Sequence, residues 1–167
     1  QRDFDPVCGV DGTTYDNPCH ARCAHVDVAQ QGECPVAEQP RDRVFFSEYV
    51  EGSGNNKAVE LYNPTDEVAD MTGCTVSVYA NGGDQANSNI NLTAVDGGPL
   101  LIEAQTTFVL CHSQASRDVL AVCNQTSGGL SFNGDDAVAI VCDGQVTAVF
   151  GQIGFDPGVA WRNGGVS

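Results

Sequence analysis

Eight cysteines dominate the reactive side chains of this 167-residue chain. Four of them (Cys8, Cys19, Cys23 and Cys34) fall within the first 34 residues, and Cys74, Cys111, Cys123 and Cys142 are scattered beyond. Thiolates serve either as metal ligands or as disulfide partners. Metal sites gather them in C-x-x-C or Cys/His spacings. No C-x-x-C occurs here, and His20, His25 and His112 stand outside such spacings. An even number of scattered cysteines argues instead for disulfides and an oxidising, extracytoplasmic compartment.

Other reactive groups give thinner signals. Gly52-Ser53-Gly54 lacks the G-x-S-x-G of a nucleophile elbow and reads as a loop between strands. His112 lies beside Cys111 in an apolar strand and reads as a core residue. Asn133, Asp135 and Asp136 in "NGDDA" offer the hard oxygen donors that calcium takes, without the ligand spacing of a calcium loop. A turn bending at Gly134 is the favoured reading there and calcium the lesser one, so no cofactor is expected. Asn91 and Asn124 open N-x-[S/T] glycosylation sequons whose use depends on the source organism, and Pro64 excludes Asn63. With no nucleophile–base constellation, the expectation is a non-catalytic protein.

Charge narrows the partners. Twenty-two acidic against 7 basic groups give a formal net charge of −15, and Lys57 is the sole lysine. Such a chain repels nucleic acid and anionic membrane surfaces. It suits high salt, or a partner that is cationic or calcium-bridged, although a well-solvated surface is the plainer reading. No apolar run is long enough to span a bilayer, and no signal peptide is recognisable, which suggests a mature or trimmed form.

The elements that must position these residues change character near residue 35. Residues 1–34 are turn-rich. Val7 and Thr14-Tyr15 flank a turn at Asp11-Gly12, and Asn17 with Pro18 makes a good helix start. Cys19 and Cys23, four apart, share one face of that helix. So small a unit depends on its disulfides. Residues 35–43, "PVAEQPRDR", read as a linker. From Val44 onward come "VFFSEYV", "AVELYN", "CTVSVYA", "NINLTAV", "TTFVLCHS", "GGLSFN", "DAVAIVC" and "QVTAVFGQIG". Each has strand length, and their spacing of roughly ten residues suits an all-β sandwich. Val59 and Leu61 point opposite to Glu60 and Tyr62, and Val138, Ile140 and Cys142 share a face. Asp143-Gly144 is a strong hairpin signal. "SQASRDVLAVCNQ" reads as a helix, capped by Ser113 or Ser116, with Val119, Leu120 and Cys123 inward. A Cys111–Cys123 bond would pin that excursion and leave Cys74 with Cys142, one of three connectivities open to four cysteines. Phe45, Phe46, Tyr49, Phe108, Phe132 and Phe155 are expected in the core and Trp161 at a sandwich end.

Two resemblances add to this reading. The run "PVCGVDGTTYDNPCHARCAHVDVAQQGEC" resembles the Kazal family of serine protease inhibitors: it matches P-V-C-G-x-D-G-x-T-Y-x-N-x-C, a later helix cysteine and a closing G-x-C. The resemblance implies a Cys8–Cys34 bond, with Cys19 and Cys23 paired to two cysteines upstream of the inhibitory loop. Gln1, Arg2 and Asp3 match that loop, with Arg2 at the primary specificity position, which implies a trypsin-like target. That loop must be braced from both sides to inhibit. Lacking its upstream half, the sequence as given is expected to be a poor inhibitor. Cys19 and Cys23 are then free, mutually bridged, bonded upstream or bonded to another chain.

Residues 44–167 resemble the bacterial-type lamin tail domain through "FFSEYVEGSGNNKAVELYNPT", "DMTGCTVSVY", "GGLSFNGDDAVAIV" and "GQIGFDPGVAW". This implies an immunoglobulin-like sandwich, one that commonly continues past the tryptophan into a further strand. Its absence would open a sheet edge to a neighbouring chain.

The expectation is a mainly β chain: a small disulfide-rich α+β module (1–34), a linker (35–43) and a β-sandwich (44–167). Its expected role is structural or adhesive, as an extracellular surface, matrix or filament component binding other protein chains, self-association included. A secreted inhibitor of trypsin-like proteases acting through Arg2 is the alternative, and an accessory region of a larger secreted hydrolase is a third. Nucleic acid binding and membrane insertion are not expected.

Overall fold

The computed structural model describes residues 5–34 and 43–161, which form two compact units. In the first, β1 (Val7–Gly9) and β2 (Thr14–Tyr15) form an antiparallel hairpin. The turn between them uses Gly12 at φ +76°, and the Asp11 carboxylate accepts the Thr13 N–H at 3.1 Å, a local side-chain turn. Helix α1 (Pro18–Cys23) starts where Asn17, in extended conformation, accepts the His20 N–H through Oδ1 at 3.0 Å. A third strand, β3 (Val28–Gln31), pairs with β1 on its other side. The buried apolar side chains of this unit are Val7, Cys8 and Ala21.

The second unit stacks two four-stranded sheets. One has the order β11-β10-β5-β4, from β4 (Phe45–Glu51), β5 (Lys57–Tyr62), β10 (Thr107–His112) and β11 (Gln125–Ser127). The other has the order β13-β12-β7-β8, from β7 (Thr75–Tyr79), β8 (Ser88–Asn91), β12 (Ala137–Cys142) and β13 (Gln145–Phe150). A two-stranded ribbon of β6 (Ala69–Asp70) and β9 (Leu101–Ile102) stands beside them. Val59, Leu61 and Leu110 from the first sheet meet Val76, Val78, Val138 and Ile140 from the second, all essentially buried. Alternation along each strand puts these residues on one face, and their removal from water drives the stacking. Asp143 (φ 50°) and Gly144 (φ 74°) both take the left-handed conformation that a two-residue hairpin between β12 and β13 requires.

The seams between the sheets are closed at both edges. On one side Tyr49 of β4 stacks against Phe150 of β13 with ring centroids 4.0 Å apart. On the other, the Gln125 side chain of β11 donates to the Asn91 carbonyl of β8 (2.8 Å) and accepts the Thr93 N–H (3.1 Å).

Three expectations need correction. "GGLSFN" is not a strand: it follows β11 as a turn at Gly128-Gly129 and an irregular stretch outside any sheet, although Leu130 and Phe132 still alternate into the core. The paired strand is the polar β11, which runs parallel to β10. The helical segment shrinks to α2 (Arg117–Leu120), where Ser116 holds the N-cap position without a side-chain bond, and Val119, Leu120 and Cys123 are only half-buried. The core anchor of this excursion is Ala115. Phe155 is half exposed and leans on Trp161 at 6.1 Å, outside the core. It sits among glycine and proline turns, where no strand presses it inward.

Candidate functional site

Cys8 bonds Cys34, tying β1 to the segment that follows β3, where the Cys34 N–H also donates to Thr14 Oγ1 at 2.9 Å. Cys111 of β10 bonds Cys123, clamping α2 to the sheet. Cys74, just before β7, bonds Cys142 at the end of β12, with Cα atoms 4.2 Å apart, one step beyond the paired residues Thr75 and Val141 of these adjacent antiparallel strands. This bond therefore reinforces one sheet instead of joining the two.

Cys19 and Cys23 are the free cysteines among the described residues, and both are exposed on α1. Helical residues four apart hold their Cβ atoms about 5–6 Å apart, whereas a disulfide needs about 3.5–4.5 Å. A bond between them would unwind the helix. Beside Cys19 lies a cavity of about 520 Å³ lined by Asp5, Asn17, Pro18 and Arg22. Gln1, Arg2 and Asp3, the residues expected to match an inhibitory loop, lie outside the described residues, as do residues 35–42, expected as most of a linker, and 162–167.

The Asn133–Asp136 segment is a turn tied to its surroundings. Asp136 is buried; its Oδ2 accepts the Asn133 N–H and its Oδ1 the Asn81 N–H, both at 2.8 Å. Its carbonyl accepts Trp161 Nε1–H at 2.8 Å, which places Trp161 over this turn. Both carboxylate oxygens are thus committed to backbone donors. Among the described residues no cluster of three or more His, Cys, Asp or Glu is arranged to hold a metal. Asn91 and Asn124 are exposed, and Asn124 spends its Oδ1 on the Val109 N–H (2.7 Å), extending the β10 ladder.

Buried polar groups mark catalytic machinery when they lack structural work. Among the described residues each buried polar side chain has such work. His112 accepts the Gln114 N–H through Nδ1 (3.0 Å), and Ser77 donates to Asn89 Oδ1 (2.7 Å). Asn63, which the sequence marks only as a failed sequon, is fully buried and binds three carbonyls.

Tyr49 lies between Phe132 and Phe150 and donates its hydroxyl to the Asn133 carbonyl at 2.8 Å. Burial raises its phenol pKa well above the ordinary value, and the carboxylates of Glu51, Asp136 and Asp135 push the same way. A raised folded-state pKa gives stability that is complete below the unfolded value of about 10 and is lost as pH climbs toward the folded one. In an alkaline titration followed by phenolate absorbance, Tyr49 should ionise late and together with unfolding. Tyr49→Phe should remove that late step.

Two stacked sheets sealed at their edges, with disulfides inside one sheet and across one loop, define an immunoglobulin-like β-sandwich whose buried polar groups serve the fold. The lamin tail domain model matches residues 37–154, and the chain belongs to the lamin tail domain family. Residues 1–34 match the Kazal-type serine protease inhibitor domain. Both families are non-catalytic, and together they indicate a protein-interaction or inhibitor-like role of a kind typical of extracellular proteins. A comparison with curated proteins finds no match. No helix among the described residues is long and apolar enough to cross a membrane.

Proposed function

We propose that the chain is a structural or adhesive component of an extracellular surface, matrix or filament, built from two interaction modules at 1–34 and 44–167 joined by a linker at 35–43. The observation that carries this reading is the commitment of the buried polar groups Asn63, Ser77, His112 and Asp136 to hydrogen bonds within the fold. A scaffold so occupied offers surfaces to partners. Cys19 and Cys23, exposed one turn apart, are its points of covalent attachment to sulfurs outside residues 5–34.

Sedimentation of the full-length gene product over a wide concentration range should show self-association or co-sedimentation with matrix proteins. Alkylation without reduction should leave Cys19 and Cys23 unmodified. The Kazal match, which includes Arg2, supports a second reading as an inhibitor of trypsin-like proteases. A strictly monomeric protein that inhibits trypsin tightly, and loses that inhibition with Arg2→Asp, would overturn the structural reading in favour of the second.

A further inference from the structure

The sandwich carries a groove of about 570 Å³ beside β6. Its floor is apolar: Val44 and Met71 are buried there, Ala69 is half-buried and Val68 stands half exposed at the rim. Three carboxylates, Asp66, Glu67 and Asp70, line it against one guanidinium, Arg43. Asp70 stays ionised to low pH, because the Thr72 hydroxyl and backbone N–H hold its carboxyl below the usual carboxylate range.

Two features suit this groove to an extended chain. β6 is an edge strand, paired with β9 on one side alone among the described residues, and both of its residues line the groove. An extended segment laid along such an edge gains backbone hydrogen bonds and alternate side-chain pockets. The backbone that carries the acidic wall is also fixed in advance. The Glu67 carbonyl accepts from Asn63 Nδ2 (2.8 Å) and Thr65 Oγ1 (2.9 Å), and Asp66 accepts from Gln105 Nε2 (2.6 Å). Such preorganisation lowers the cost of binding.

We propose that this groove receives an extended segment of a partner protein in which lysine or arginine alternates with small apolar residues. Charge complementarity selects the occupant: the wall is net negative, and the field of a chain at −15 steers cations toward it. A second copy, with one lysine and its own excess of carboxylates, fits poorly. The proposal rests on reading the sandwich as an interaction module.

Amide NMR titration of the full chain with a short lysine–valine alternating peptide tests it, with the glutamate–valine peptide as control. Saturable shifts confined to Val44 and Val68–Met71 are expected from the first peptide and none from the second. Glu67→Lys should weaken binding about tenfold with an unchanged melting temperature, since the fold uses the Glu67 carbonyl and not its carboxylate. Scattered shifts that never saturate, or undiminished binding by Glu67→Lys, would overturn the groove. Saturable binding that maps to another face would also overturn it, yet leave the interaction reading standing; that reading fails separately, by sedimentation.

Discussion

Asn63→Asp should lower the stability of the sandwich by about 3–5 kcal/mol, read as a large fall in the urea midpoint. The substitution keeps shape and volume and changes one nitrogen to oxygen. That nitrogen donates to the carbonyls of Glu67 (2.8 Å), Ile102 (2.9 Å) and Glu103 (3.1 Å), joining the loop after β5 to the end of β9. Meanwhile Oδ1 accepts from the Thr65 N–H (3.1 Å) and hydroxyl (2.8 Å). An amide has two N–H hydrogens, so three acceptors already share them. An aspartate offers no donor and turns a buried charge toward three lone pairs. With domain stabilities of about 5–15 kcal/mol, the loss is a large share of the total. Protonation would return one O–H to donate, and burial raises the variant's carboxyl pKa. Its deficit should therefore shrink as pH falls through that raised value. Asn91→Asp, at an exposed edge, should change stability by no more than about 0.5 kcal/mol.

Asn63 also shows where sequence reasoning runs out. Strand patterns are local, so Val59 and Leu61, or Val138 and Ile140, declare their inward face through a period of two, and the stacked sheets follow. Asp143-Gly144 declares its turn because two adjacent residues must both take positive φ. Asn63 meets partners forty residues away, and nothing in "NPT" announces them. Asp136 is similar: "NGDD" reads as a turn, but its bond to the Asn81 N–H spans fifty-five residues. The strands that escaped notice are polar edges or fragments. β3 ("VAQQ") is exposed throughout and β11 ("QTS") lacks apolar alternation, so both are specified by the neighbours they pair with. "GGLSFN" shows the reverse error, since alternation secured burial of Leu130 and Phe132 without any strand partner. The groove beside β6 was invisible because it is assembled from segments far apart in sequence, near residues 43–44, 63–71, 142 and 147.

Replacing Cys8 and Cys34 by serine should unfold residues 5–34 outright and leave 43–161 intact. The bond closes 26 residues, and chain-entropy accounting assigns it about 3.5 kcal/mol. A core of Val7, Cys8 and Ala21 has little else to set against conformational entropy, and units below about 40 residues seldom fold without such staples. The contrast lies within the sandwich. Cys74–Cys142 closes 68 residues and carries about 4.4 kcal/mol by the same accounting, yet an extensive core surrounds it. Losing that bond should shift the urea midpoint and keep the sheets. Hydrogen exchange separates the cases residue by residue: without Cys8–Cys34, the amides of Gly9 and Val26 should lose protection while those of Val59, Leu61 and Ile140 keep it. Simultaneous loss in both sets would mean one cooperative body and would sink the division at 35–43. Retained protection at Gly9 would mean that bonds through Cys19 and Cys23 suffice to hold the small unit, because its apolar core cannot.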